Sequence, residues 1–168
     1  MRRFAWIAAA ALALPAMASG AEPAAWTFKA LGADGGHTYF VAQAPSNETL
    51  VGLGDKPGKA ELAVRCDQKG LFVSLLWPDY VSADTYNEKI IDVDLKVDGD
   101  KPRLAKLTKV DQAAIAVGKD GYKLLKDISK GQTLHVHLPD FHGGQDATFP
   151  IEGIGEIYAR VTAQGCGK

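Results

Sequence analysis

The stretch TLHVHLPDFHGG, residues 133–144, holds His135, His137 and His142, three of the four histidines in the chain. On an extended strand, side chains two apart share a face, so His135 and His137 stand side by side. Two imidazoles so placed, with His142 beyond the bend at Pro139, form a candidate ligand set for zinc or copper. The same spacing fits another arrangement. Leu134, Val136 and Leu138 alternate with the histidines, and a half-buried strand would turn them inward. The imidazoles would then be the solvent face of that strand, free to meet a partner.

Other chemistry finds less support. No G-x-S-x-G motif occurs, and a thiol nucleophile disappears if Cys66 and Cys166 pair. Ser74 and Ser82 have no base that the sequence identifies. Glycosidase chemistry needs two carboxylates about 5–10 Å apart in a cleft, whereas the acids here fall mostly on turns and polar strand faces. A calcium loop aligned on Gly99 would carry Lys96 where a ligand oxygen belongs. The chain is therefore expected not to be an enzyme. Contact residues are easier to nominate. Trp77 and Tyr80 lie at a strand end, and Asp140 and Phe141 precede the Gly-rich connector HGGQD, so these four are expected to face a partner. For Trp77 the alternative is core packing.

Compartment comes next. The opening MRRFAWIAAAALALPAMASG has a basic start, an apolar run, a proline and small residues before Ala21, which predicts a signal peptide over residues 1–20. The apolar run is too short for a bilayer of about 30 Å, so no membrane insertion is expected after cleavage. Residues 21–168 then form one domain, exported to the periplasm or secreted. Lys and Arg number 19 against 20 acids, and the predicted leader removes only Arg2 and Arg3. A slightly acidic domain with interleaved charges gives no basic patch for nucleic acid. In an oxidising compartment two cysteines read first as a disulfide, with a free thiol or an intermolecular bridge as alternatives. A Cys66–Cys166 bridge would contribute up to roughly 4–5 kcal/mol on the loop-entropy model.

These residues need elements to hold them. WTFKAL and HTYFVAQA read as short strands around the connector GADGG, followed by the loop APSNETLVGLGDKPGK. AELAVRC and LFVSLLW flank DQKG, a hairpin signal. KIIDVDLKV alternates, with Ile91, Val93, Leu95 and Val97 on one face; Asp98–Gly99 turns the chain and RLAKLTKV returns. GYKLLKDISKG predicts one or two turns of helix ending at Gly131. Ile154, Ile157, Tyr158 and Val161 mark an amphipathic helix closed by Gly165. The expected fold is mainly β, a sandwich or a curved antiparallel sheet, with one short internal helix and a C-terminal helix.

The order of landmarks resembles the VasI/EvfG family of exported bacterial proteins associated with type VI secretion. Trp26 opens the domain. LAVRC…LFVSLLW matches a strand ending Arg-Cys that leads into a strand ending in Trp, through Arg65, Cys66 and Trp77. DVDLKVDGDK and KVDQAAI occupy the middle blocks. Phe149, Gly153, Ile154 and Cys166 fit the closing F-x-x-x-G-[IL] and terminal Cys. The chain departs from the pattern in lacking an Arg-Ile-Asp triplet and in carrying Pro150. The resemblance implies a β-rich periplasmic accessory domain with a protein partner. Two other functions remain open from the residues: an inhibitor or immunity protein capping a hydrolase or toxin, and a metal-binding protein acting through the His-x-His strand.

Overall fold

The computed structural model describes residues 26–81 and 88–166, so the expected signal segment lies outside it. The strands are β1 (Thr27–Asp34), β2 (His37–Pro45), β3 (Leu50–Val51), β4 (Pro57–Gly58), β5 (Glu61–Asp67) and β6 (Gly70–Leu76). After them come β7 (Ile90–Val97), β8 (Arg103–Val110), β9 (Ala113–Val117), β10 (Thr133–Leu138) and β11 (Gln145–Pro150). Helix α1 (Gly118–Ile128) precedes β10, and α2 (Ile154–Ala163) follows β11. Nine strands make one antiparallel sheet in the order β1-β2-β5-β6-β9-β8-β7-β10-β11; β3 and β4 pair separately.

Period-two alternation determines which residues reach the core. Ala42, Val64, Val73 and Ala116 lie in register across β2, β5, β6 and β9, and all four are buried. Leu95, Val136 and Ala147 form a corresponding buried row across β7, β10 and β11. Both rows join one cluster with Leu125 and Ile128 of α1 and with Ile154, Ile157 and Val161 of α2. Of the two expected architectures, the structure takes the single sheet. That sheet curls: β2 approaches β11, Asn47 N–H donates to the Thr148 carbonyl at 2.8 Å, and Thr148 N–H donates to Glu48 Oε2 at 2.6 Å. Among the described residues, no strand pairing closes it into a barrel.

Helix α1 packs on β6 and β9. A Cβ on Gly121 would come within 2.8 Å of the Ala116 carbonyl oxygen, so only glycine permits the helix to sit this low on the sheet. At the other end, Gly165 has φ +70° and Cys166 N–H donates to the Val161 carbonyl, a Schellman-type stop. That turn delivers Cys166 to Cys66 on β5, and the two are joined as a disulfide with Cα atoms 5.9 Å apart.

Some local expectations change. GADGG is mostly strand, since β1 runs to Asp34 and the chain turns at Gly35–Gly36. The internal helix has 11 residues, one turn more than expected. Part of HGGQD is not connector: β11 begins at Gln145, whose side chain grips the backbone of Val51. Strand β9 carried no period-two polar signal, because its alanines are packed beneath α1.

Candidate functional site

The strongest concentration of interacting polar and exposed aromatic groups lies where three segments meet: the exit of β6 at 77–81, the β10–β11 connection at 139–144, and residues 50–58. Inward parity creates it. On β6, Leu71, Val73 and Leu75 face the core, and Trp77 and Asp79 continue that parity beyond the strand. On β10, Leu134, Val136 and Leu138 face the core, and Asp140 continues it. Two carboxylates thereby end up at the rim of an apolar interior, both almost fully buried.

Asp140 is the hub of this region. Its Oδ2 accepts from the Trp77 indole Nε1–H at 3.1 Å and from the Gln145 amide. Its Oδ1 accepts from the backbone N–H groups of His142 at 2.9 Å and Gly144 at 3.1 Å. Four donors on one buried carboxylate satisfy the charge that burial would otherwise penalise. Gln145 extends the network: its Oε1 accepts from Val51 N–H at 2.8 Å, and its amide donates to the Val51 carbonyl at 2.9 Å. Val81 bridges to Asp140, and Phe141 N–H donates to the Tyr80 carbonyl at 3.1 Å. Leu53 N–H donates to the Pro78 carbonyl, which ties in the third segment.

On this platform stand Phe141, 76% exposed, and Tyr80, 48% exposed, with Leu53 and Val51 also exposed on the segment bonded to it. Of the four residues expected to face a partner, Tyr80 and Phe141 are exposed. Trp77 and Asp140 are not; they are 4% exposed or less and hydrogen-bond one another, and Trp77 takes the core position that was its other reading. The reason is parity, since both prolong the inward rows of their strands while Tyr80 and Phe141 prolong the outward ones.

Parity also separates the histidines. His135 and His137 lie exposed on the outer face of β10; His135 Nδ1 is 3.1 Å from Thr148 Oγ1 and His137 Nδ1 is 2.9 Å from Asp146 Oδ1. Register sets Lys96 and Asp94 of β7 opposite them, around a cavity of about 370 Å³. His142 goes elsewhere, with Nδ1 2.7 Å from Asp79 Oδ2 and Nε2 3.5 Å from Asp55 Oδ1. The expected ligand set of His135, His137 and His142 is thus divided between the strand and the loops. Among the described residues, no three His, Cys, Asp or Glu side chains converge as a metal site. Asp55, Asp79 and Gln145 were not nominated from sequence; for Asp79 the usable signal was its parity with Leu75 and Trp77.

Glu48, near the far edge of the sheet, has its carboxyl pKa lowered. Desolvation pushes upward, but the hydrogen bonds from Thr148 outweigh it, with a smaller contribution from His135. A groove of about 690 Å³ between α1 and β8 has a floor that includes Leu95 and Leu107, and a rim of both charge signs that includes the Arg103–Asp127 ion pair at 3.1 Å. Its polar groups do not gather on one point. Among the described residues, no helix is long and apolar enough to cross a membrane. Compared with protein-family models, curated proteins and solved structures, the chain matches none.

Proposed function

We propose that this chain is a non-enzymatic binding protein of an oxidising, extracytoplasmic compartment, and that its partner docks on Tyr80 and Phe141. The observation that carries this reading is the exposure of Phe141 on a connection whose backbone N–H groups at 141–144 are each hydrogen-bonded. An aromatic ring held in solvent by a rigid, hydrogen-bonded support is an anchor already ordered for binding, so little conformational entropy remains to be lost. The Cys66–Cys166 bridge and the leader-like residues 1–20 support the compartment. The VasI-like order of landmarks supports the narrower proposal of an accessory protein beside secretion machinery.

A photo-crosslinking residue at position 141, expressed in the organism that makes the protein, tests this. One discrete protein adduct is expected at 141 and none at Leu104, which is 67% exposed on β8. No adduct at 141, or the same products from both sites, overturns the reading. The adduct's identity then separates the two kinds of binding protein: a secretion component supports the accessory role, and a hydrolase or toxin supports an inhibitor whose β10–β11 connection enters the target.

A further inference from the structure

We infer that the groove between β1 and α2 binds the C-terminal carboxylate of an extended peptide, with Arg160 as the group that takes the charge. The groove shares no residue with the Tyr80–Phe141 surface and adds a second site to it. Its first support is the setting of Arg160. The guanidinium carbon lies 5.3 Å from the centre of the Phe28 ring and 5.5 Å from that of Phe40, so rings from two strands hold one cation. Among the described residues no Asp or Glu pairs with it. Even Glu156, one turn earlier on α2, does not, although that spacing ordinarily favours an ion pair. A planar fork stacked on rings and left without an anion is already ordered for a carboxylate, which it can meet with two parallel N–H···O bonds.

The second support is the lining. The groove, about 400 Å³, is lined by the basic residues Arg160 and Lys29 and by no acid. Phe28 and Phe40 supply apolar walls, and Thr38 and Gln164 add side chains that can donate hydrogen bonds. Such a lining fits an acid with an apolar group beside it, and it repels a cation.

The third support is the strand edge beside the groove, which points to a chain end as the source of that acid. Strand β1 is outermost in the sheet and pairs with β2 alone. Alternate residues of such an edge aim their N–H and C=O groups away from the partner strand, so Thr27–Ala30 offers backbone bonds to an incoming strand. The opposite edge is already taken, since β11 bonds to Asn47 and Glu48. A register shift between Ala30 and Gly32 interrupts the ladder, which limits the added strand to about four residues. Backbone bonds along β1 then supply affinity, and the carboxylate on Arg160 fixes the register.

The test uses the mature, disulfide-intact protein and a library of random heptapeptides with free C-termini. Selected peptides should share an apolar last residue. By fluorescence anisotropy, the best of them should bind about tenfold or more weakly once its terminus is amidated. Arg160→Met keeps an apolar stem against the rings and should weaken binding about 10–100-fold, while Arg160→Lys should recover only part of the loss. Hydrogen exchange should slow in β1 on binding and stay unchanged in β11. Phe141→Ser should bind the peptide as wild type does. The amide comparison alters only the ligand, so it tests the charge even if a variant folds poorly. No enriched peptide, no shared apolar end, equal binding of the amide, or full affinity in Arg160→Met overturns the inference. So does unchanged exchange in β1, loss of binding in Phe141→Ser, or competition by N-acetyl-leucine as strong as that of the peptide, which would mark a pocket for small free acids. None of these results bears on the crosslink at position 141, so the two sites stand or fall separately.

Discussion

Replacing Asp140 by alanine measures how much the loop platform depends on one carboxylate. The substitution removes four accepted hydrogen bonds. The Trp77 indole N–H is the costly one, because Trp77 is 3% exposed and no solvent reaches it. A buried donor left without an acceptor costs about 1–3 kcal/mol. The N–H groups of His142 and Gly144 lie in partly exposed backbone and can turn to water, so each loses only about 0.5–1.5 kcal/mol. Alanine also removes the burden of a buried charge, which offsets part of the loss. The net expectation is a destabilisation of about 3 kcal/mol, or about 6–12 °C in Tm for a domain of this size. Urea titration followed by tryptophan fluorescence reads it. A second variant isolates the bond: with Trp77→Phe the donor is gone, so the double variant should be less destabilised than the sum of the singles by about 1–2 kcal/mol. A loss below about 1 kcal/mol in Asp140→Ala, or strict additivity in the double variant, would refute the role assigned to this carboxylate.

Reduction of the Cys66–Cys166 bridge, or Cys166→Ser, should lower stability by about 2–5 kcal/mol in urea titrations with and without reductant, since the bridge closes a 100-residue loop. Glu48 has a lowered folded-state pKa, so its contribution is present above its unfolded value near 4.5 and is lost as pH falls through the lower folded value. Urea midpoints measured below pH 4.5 should therefore fall less steeply with acid in Glu48→Gln than in wild type; equal slopes would contradict this. Gly121→Ala should destabilise by about 1–3 kcal/mol although alanine favours helix by about 1 kcal/mol, because the new Cβ meets the Ala116 carbonyl; a stabilised variant would show that α1 can lift. Phe141→Ser should leave the urea midpoint within about 0.5 kcal/mol of wild type while abolishing the adduct formed by a photo-crosslinking residue at position 80, the signature of an exposed anchor rather than a packing residue.

Strands with clean alternation were legible because one face of each is buried. Ile91, Val93 and Leu95 point inward as their spacing requires, and so do Leu134, Val136 and Leu138. The terminal helix was legible from Ile154, Ile157 and Val161, which dock on the core. Strand β9 was hidden, because AAIAV beneath a helix carries neither polar alternation nor bulky β-formers. Strand β11 was masked by Gly143, Gly144 and Pro150, and its edge is completed by side-chain and loop bonds from Glu48 and Asn47 that lie about a hundred residues away in sequence. The loop region was half legible. The exposure of Tyr80 and Phe141 followed from their places at a strand end and before a Gly-rich connector, whereas Asp55 reaches His142 only through the return of a loop that no local pattern announces.

The burial of Trp77 and Asp140 carries the more general lesson about how this domain holds its loops. A strand's inward parity does not stop where its hydrogen-bonded ladder stops, so residues just past the end are still delivered toward the interior. When those residues are apolar, the core simply extends. Here they are Trp77, Asp79 and Asp140, and the polar groups they bring must be satisfied where water is scarce. The donors come from the loops themselves: the backbone at His142 and Gly144, and the Gln145 amide, which also clamps Val51. Loops that would otherwise move are therefore fixed by the buried acid rather than by apolar packing. Their outward positions, Tyr80 and Phe141, stand on that hydrogen-bonded support, which is why we propose partner recognition there and not on the histidines of β10.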